Sequence, residues 1–529
     1  MKGFGEHKKS FNKISKESNI QNFQKLLINQ AIQFHLKGNI PEATKCYKKI
    51  IDQGCKDYKV FANYGVILKN FGKLKEAEKS TRIAIELNPD YAMAYCNLGA
   101  ILKDLGKLKE AEKSTRKAIE LSPDIAEVQS NLGSILKNLG KLKEAEKSTR
   151  KAIELKPDYA LAYCNLGGIL KTLGKLKEAE KSTLKAIELD PNLASAYFSL
   201  STLKYGKEIK IWKKQLFSEN ILMNKSNKDK INIYFARGNI LHNEKKYQES
   251  SKYYTLANDL KLNFKPSQFE DRLKKSEALF IETGKSEIDK KESINFPKSV
   301  FIVGMPRSGS TLIESILSMN SDVHDLGEIN ILEESFLEHK QIDKESTLIE
   351  IYLKKISGYT NKFNITTNKW LYNYQYAGII ASQIPEAKII HCFRNPLDNI
   401  LSIYRSNFES GNEYSSSLVD CTRVYLDQEE IMSKYKDEFR SKIYDINYDL
   451  LVGNPKKEIK SLISWLGWHW DDSYLSPHLN TRTVSTASSV QVRSPINSKS
   501  MGGWKNYKDM LNPSIELLKE TYKYRNLLS

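Results

Sequence analysis

Val300–Asn320 reads VFIVGMPRSGSTLIESILSMN, an apolar run, a short loop carrying Gly304 and Gly309, and then apolar residues at helical spacing. That order is a strand, a loop and a helix start. Free backbone N–H groups and the positive end of the helix dipole then converge on one anion, and a side chain at Gly309 would crowd its approach. Against the nucleotide-binding pattern G-x-x-x-x-G-K-[ST], the loop keeps both glycines and Thr311 but has Ser310 at the lysine position. Without that lysine, the outer phosphates of a nucleoside triphosphate lose their usual charge partner. Arg307 puts a guanidinium beside the bound oxyanion instead, so a different donor is expected.

About 80 residues downstream, AKIIHCF (387–393) is an apolar strand ending in Arg394-Asn395-Pro396, followed by the helical text LDNILSIYRSNF. An arginine at a helix N-terminus adds a two-pronged positive charge to an anion pocket.

The string PRSGST resembles the 5′-phosphosulfate loop of sulfotransferases. It is closer to the protein-tyrosine and bacterial branch, which has arginine here, than to the cytosolic branch, which has lysine. The resemblance runs from about Pro297 to Leu527. It implies an α/β P-loop-like domain with a mostly parallel sheet, and 3′-phosphoadenosine 5′-phosphosulfate as co-substrate with no metal required. Arg307, Ser308, Gly309, Ser310 and Thr311 would hold the phosphosulfate, and Arg394 with Ser402 the 3′-phosphate. Glu328, in HDLGEIN, would be the general base, with Glu333 and Glu334 as runners-up. A glutamate capping a helix is the plainer reading of Glu328, since GEINILEESFL also reads as a helix start. Lys369, in TNKW, would face the bridging oxygen beside Arg307, although Asn368 stands where many relatives have aspartate.

Tyr448 precedes a helix, and TASSVQVRSPINSKSMGGWKNY (486–507) is similar to the segment that closes over the donor in bacterial relatives. By that likeness Ser489 lies near the sulfate, and Arg493 or Trp504 near the nucleotide. Gly503 replaces a usual basic residue, leaving Lys499 or Lys505 to substitute. Arg405 and Ser406 point to the donor or to solvent, and His324, His339 and His391 receive no role.

Upstream the text repeats every 34 residues: Gly72, Gly106, Gly140 and Gly174 mark turns, and Pro89, Pro123, Pro157 and Pro191 mark helix ends. Gly65, Gly99, Gly133 and Gly167 fall in first helices, where a missing side chain lets the second helix approach, with Ala77, Ala111, Ala145 and Ala179 as small counterparts. The pattern resembles the tetratricopeptide repeat, which implies an α-solenoid whose groove binds protein partners or whose stack is a scaffold. The expected division is a polar tail (1–24), repeats atypical at both ends (25–265), a helix and linker (266–296) and the sulfotransferase domain (297–529).

Over 529 residues, 82 Lys and Arg face 64 Asp and Glu, for a net charge of +18. The lysines interleave with acids in strings such as GKLKEAEKSTRKAIEL, the mark of a solvated face rather than a nucleic-acid groove. Six cysteines without CxxC spacing suit a reducing cytoplasm and no metal site, and no stretch approaches a membrane span. The expectation is a cytoplasmic sulfotransferase acting on a protein, glycan or metabolite hydroxyl. The alternatives are a repeat scaffold carrying a non-catalytic nucleotide-binding domain, or a kinase-like phosphotransferase.

Overall fold

The computed structural model describes residues 25–203, 210–284, 298–341, 346–358, 364–408, 411–480, 482, 484, 486 and 488–525. The N-terminal tail and residues 285–296 of the expected helix and linker lie outside the described residues. Two compact units are present, 1–169 and 170–529.

The first unit stacks helix pairs: Tyr58–Asn70 with Leu74–Leu87, Ala92–Asp104 with Leu108–Leu121, and Ala126–Asn138 with Leu142–Leu155. Each turn within a pair uses a glycine in the left-handed region, Gly72, Gly106 and Gly140, with φ of 76°, 79° and 75°. Each second helix stops at a leucine, and Asn88 and Ser122, the residues before Pro89 and Pro123, are extended. The string EKST explains the glycines of the first helices. Thr81, Thr115 and Thr149 bond back to the carbonyls of Ala77, Ala111 and Ala145 at 2.8–2.9 Å, and a Cβ at Gly65, Gly99 or Gly133 would collide with those hydroxyls. The facing groups are thus these threonines and the alanine carbonyls. Ser80, Ser114 and Ser148 donate across to carbonyls of the first helices at 2.8–2.9 Å, tying each pair together. Outside, Glu78 takes Arg82 and Lys107, and Glu112 takes Arg116 and Lys141, at 2.7–3.0 Å. The excess of lysine is therefore spread along a solvated ion ladder.

In the second unit five parallel strands form one sheet in the order β2-β3-β1-β4-β5: β1 Lys298–Gly304, β2 Val323–Asp325, β3 Ile365–Asn368, β4 Lys388–Phe393 and β5 Ile443–Asn447. All carboxyl ends share one edge, where such sheets bind ligands. Close approach of β1 to β4 needs Gly304, since a Cβ there would run into the Cys392 carbonyl. Apolar clusters cover both faces, one around Phe301, Val303, Ile380 and Ile389, the other around Ile302, Ile316, Ile390 and Leu462.

Repeat content and compactness divide the chain at different places. Helices Leu176–Leu189, Asn227–Asn243, Tyr247–Phe264 and Phe269–Thr283 belong to the same unit as the sheet. Phe235 and Tyr254 share a core cluster with Met305, Leu401, Trp504 and Tyr507. Asn258 and Lys261 donate to the carbonyls of Tyr404 and Phe408 at 2.9 and 2.6 Å. The last repeat is atypical because its outer face is covered by the sheet domain rather than by another repeat.

Candidate functional site

Each strand of the parallel sheet delivers one of the expected residues at its carboxyl end. Arg307 follows β1, Glu328 follows β2, and Lys369, Arg394 and Tyr448 come directly after β3, β4 and β5. Tertiary structure thus gathers side chains that are spread in sequence from Arg307 to Tyr448.

The loop after β1 turns on Gly309, which has φ +99° and leads into the helix Ser310–Leu317; a Cβ there would strike the ring of Tyr448. That ring also lies under the Arg394 guanidinium, 4.8 Å from its centroid. Arg307 itself has φ +68°, a conformation unusual for a residue with a side chain. Its guanidinium donates to Ser402 at 3.0 Å, Ser488 at 2.6 Å and Gln491 at 2.9 Å. Burial first, then the neighbouring charges of Arg394 and Arg405, lower its pKa to about 10. It stays charged at neutral pH in a field that favours an anion.

Arg394 is buried, donates to the Ser500 carbonyl at 2.5 Å and has Asp398 at 3.8 Å; its Nε has no hydrogen-bond partner among the described residues. The same holds for the buried Ser308 hydroxyl. Ser310 and Thr311 are buried beside it, and Thr311 lies 3.4 Å from the Thr486 hydroxyl.

Lys369 is completely buried and donates to Glu328 at 2.5 Å; Glu328 is 41% exposed. Main-chain bonds bring the two segments together, Leu326 N–H to the Thr367 carbonyl at 2.8 Å and Lys369 N–H to that of Gly327 at 2.9 Å. The following helix begins only at Ile331. Asn368 accepts from Trp370 N–H and Asn373 at 3.0 and 3.1 Å, shaping the turn that carries the lysine. Glu333 is paired with Lys275, and Glu334 lies 3.8 Å from Lys355.

The segment after residue 480 runs along this edge. Asp398, on the helix Pro396–Tyr404, pins its far end by accepting from Gly502 and Trp504 N–H at 2.6 and 2.9 Å. Ser489 is buried, but the hydroxyl on Arg307 belongs to its neighbour Ser488. Arg493 donates to the carbonyls of Asn480 and Arg482 and packs over the Gly174 turn, so the structure does not bring its donors to the other site residues. Lys499 and Lys505 are exposed. Arg405 turns toward Tyr254, donating to its hydroxyl at 3.3 Å. His391 is a core residue held by Asp445 at 2.8 Å and Gln428 at 2.7 Å.

Sequence reading missed Ser488, Gln491, Thr486, Asp398 and a buried pair, Glu314 with Arg482. In an irregular segment no period says which of two adjacent serines faces inward. A charged residue in the apolar helix STLIESIL was the one visible signal for Glu314.

Residues 297–472 match the profile described as the sulfotransferase family, and 92–125, 160–193 and 231–264 match tetratricopeptide repeats. An uncharacterized protein of Aquifex aeolicus (strain VF5) is 29% identical over 249 residues, 43% of this chain and 33% of that protein. The chain thus spans about a third of that relative's length. A putative protein-tyrosine sulfotransferase of Caenorhabditis briggsae is 23% identical, across 40% of this chain and 81% of that protein. Protein-tyrosine sulfotransferase 1 of Danio rerio is also 23% identical, across 39% of this chain and 65% of its own length. The chain thus carries a region, 297–472, that matches the sulfotransferase family, downstream of segments that match tetratricopeptide repeats.

Proposed function

We propose that this chain transfers a sulfuryl group from 3′-phosphoadenosine 5′-phosphosulfate to an acceptor hydroxyl. The observation that carries the reading is the crowding of Arg307, in the loop after β1, by Arg394, directly after β4, and by Arg405, at the end of the helix Pro396–Tyr404, a concentration of positive charge that a polyanion relieves. The Arg394 Nε and the Ser308 hydroxyl, buried without a hydrogen-bond partner among the described residues, are two further donors for the same ligand.

In this reading Arg394 and Ser402 bind the 3′-phosphate, and the loop Arg307–Thr311 binds the phosphosulfate. The Glu328 carboxylate takes the acceptor's proton as the acceptor oxygen bonds to sulfur and the bond from sulfur to the bridging phosphate oxygen breaks. The electron pair leaves on the phosphate of adenosine 3′,5′-bisphosphate, where Lys369 and Arg307 neutralise it. Ser310 in place of lysine counts against a triphosphate donor.

The names of the animal relatives put peptidyl tyrosine first among acceptors to test, beside carbohydrate and metabolite hydroxyls. Repeats of this kind suit recruitment of a protein acceptor or partner. Six cysteines without CxxC spacing favour a reducing compartment, and no helix among the described residues is long and apolar enough to cross a membrane; we assign the enzyme to the cytoplasm.

The test is Glu328→Gln. Turnover falls on the order of 10²–10⁴-fold while adenosine 3′,5′-bisphosphate still binds and raises the melting temperature. Parent-like turnover would move the base elsewhere, and stabilisation by ATP with Mg²⁺ instead of the bisphosphate would overturn the donor.

A further inference from the structure

We infer that Glu314 is a positioning residue that holds the Lys369 ammonium in place when Glu328 is protonated during transfer. This rests on the roles proposed for Glu328 and Lys369.

Glu314 lies one turn beyond the phosphate-binding loop and is 2% exposed. A carboxylate so buried is costly unless compensated. Its Oε2 is shared between Arg482 at 3.0 Å and Lys369 at 3.9 Å, and Oε1 has no hydrogen-bond partner among the described residues. Arg482 also pairs with Asp325 at the end of β2, and donates to Ser315 at 3.2 Å. Burial works against charge on that guanidinium, but Glu314 and Asp325 outweigh it and hold its pKa above the usual range. The result is one chain of charges, Asp325–Arg482–Glu314–Lys369–Glu328.

Its charge tally matters in the reaction. With Glu328 ionised, three carboxylates face two cations. Once Glu328 takes the acceptor's proton, two carboxylates face two cations, and Lys369, wholly buried, has lost its 2.5 Å partner. Glu314 is then the anion left beside it, with one oxygen still uncommitted. The Lys369 side chain thus keeps an anion beside it and stays directed at the leaving phosphate. Arg482 comes from the same stretch that places Ser488 and Gln491 on Arg307, so seating of that stretch also sets the Glu314 carboxylate.

The test compares the parent with Glu314→Gln, Glu314→Asp, Glu328→Gln and the double Gln substitution, in the full chain. The rate is transfer to a tyrosyl peptide, or to water as hydrolysis of the donor. Adenosine 3′,5′-bisphosphate affinity and melting temperature are read alongside. Glu314→Gln should lower kcat by about ten-fold or more with bisphosphate affinity within about two-fold, and Glu314→Asp should fall between it and the parent. In the Glu328→Gln background, where Glu314 is the anion left beside Lys369, the second substitution should cost more than it does in the parent. A purely structural Glu314 predicts the same fold-loss in both backgrounds, and that result overturns the inference. So does parent-like kcat in Glu314→Gln, or in Glu314→Asp should the Gln substitution not fold. If Glu328→Gln turns over like the parent, the base assignment fails and this inference with it; impairment of Glu328→Gln with an unaffected Glu314→Gln fails the inference alone.

Discussion

Arg394 shows how much one residue can carry at the end of a strand. It lies over the Tyr448 ring, donates to the Ser500 carbonyl, and its buried Nε has no hydrogen-bond partner among the described residues. Replacing it by alanine should weaken adenosine 3′,5′-bisphosphate binding by about 1.5–3 kcal/mol, the cost of a charge-assisted hydrogen bond, as read by calorimetry. Undiminished affinity would remove Arg394 from the donor site. Its neighbours divide in legibility. The residue Arg394 could be seen in sequence because it ends an apolar run before Asn-Pro. Its aromatic support was visible only as an isolated tyrosine, since stacking joins residues 54 positions apart.

At the scale of elements, the repeat helices are governed by one collision. In the pair Ala92–Asp104 and Leu108–Leu121, the Thr115 hydroxyl is tied to the Ala111 carbonyl and cannot swing away from a Cβ at Gly99. Gly99→Ala should therefore destabilise the protein by about 1–3 kcal/mol in urea unfolding, despite alanine's better helix propensity. Adding Thr115→Ala should recover part of the loss by removing the hydroxyl. The helix Asn227–Asn243 meets the sheet domain through a polar contact, His242 Nδ1 to the Tyr507 hydroxyl at 2.8 Å, with Ser250 on the same hydroxyl at 3.0 Å. Burial, then Arg405, lowers the His242 pKa to about 3 from 6.5. Below pH 6.5 the unfolded chain takes the proton first, so this contribution to stability is complete above that pH and declines toward pH 3. His242→Gln should flatten that decline, measured as melting temperature at pH 5 against pH 7.

For the whole molecule, the boundary that matters to folding is not the end of the repeats. A fragment beginning at Leu170 keeps the helices that cover Tyr404, Trp504 and Tyr507, whereas one beginning at Pro266 strips Phe235 and Tyr254 from that cluster. The longer fragment should melt cooperatively and bind adenosine 3′,5′-bisphosphate. The shorter should show a broad or absent transition and expose apolar surface to a hydrophobic dye. Equal behaviour of the two would show that the last repeats are dispensable for the fold.

Local chemistry was enough to read the repeats, the strand-loop-helix around Gly309 and the arginine ending β4. Turn glycines, prolines and hydrophobic period act within one or two elements, and their signals lie close together in the chain. The same short-range rules named Glu328 and Lys369 only through family likeness, because nothing in the text between them says they meet. Tertiary structure decided that meeting by pairing residues 326–327 with 367–369 along two adjacent strands. It also decided that Ser488 rather than Ser489 reaches Arg307, that both terminal nitrogens of Arg493 donate to carbonyls, and that Glu314 lies between Arg482 and Lys369. The physical reason is that a parallel sheet brings together the ends of strands distant in sequence, and a buried charge declares its partner only once both have left water.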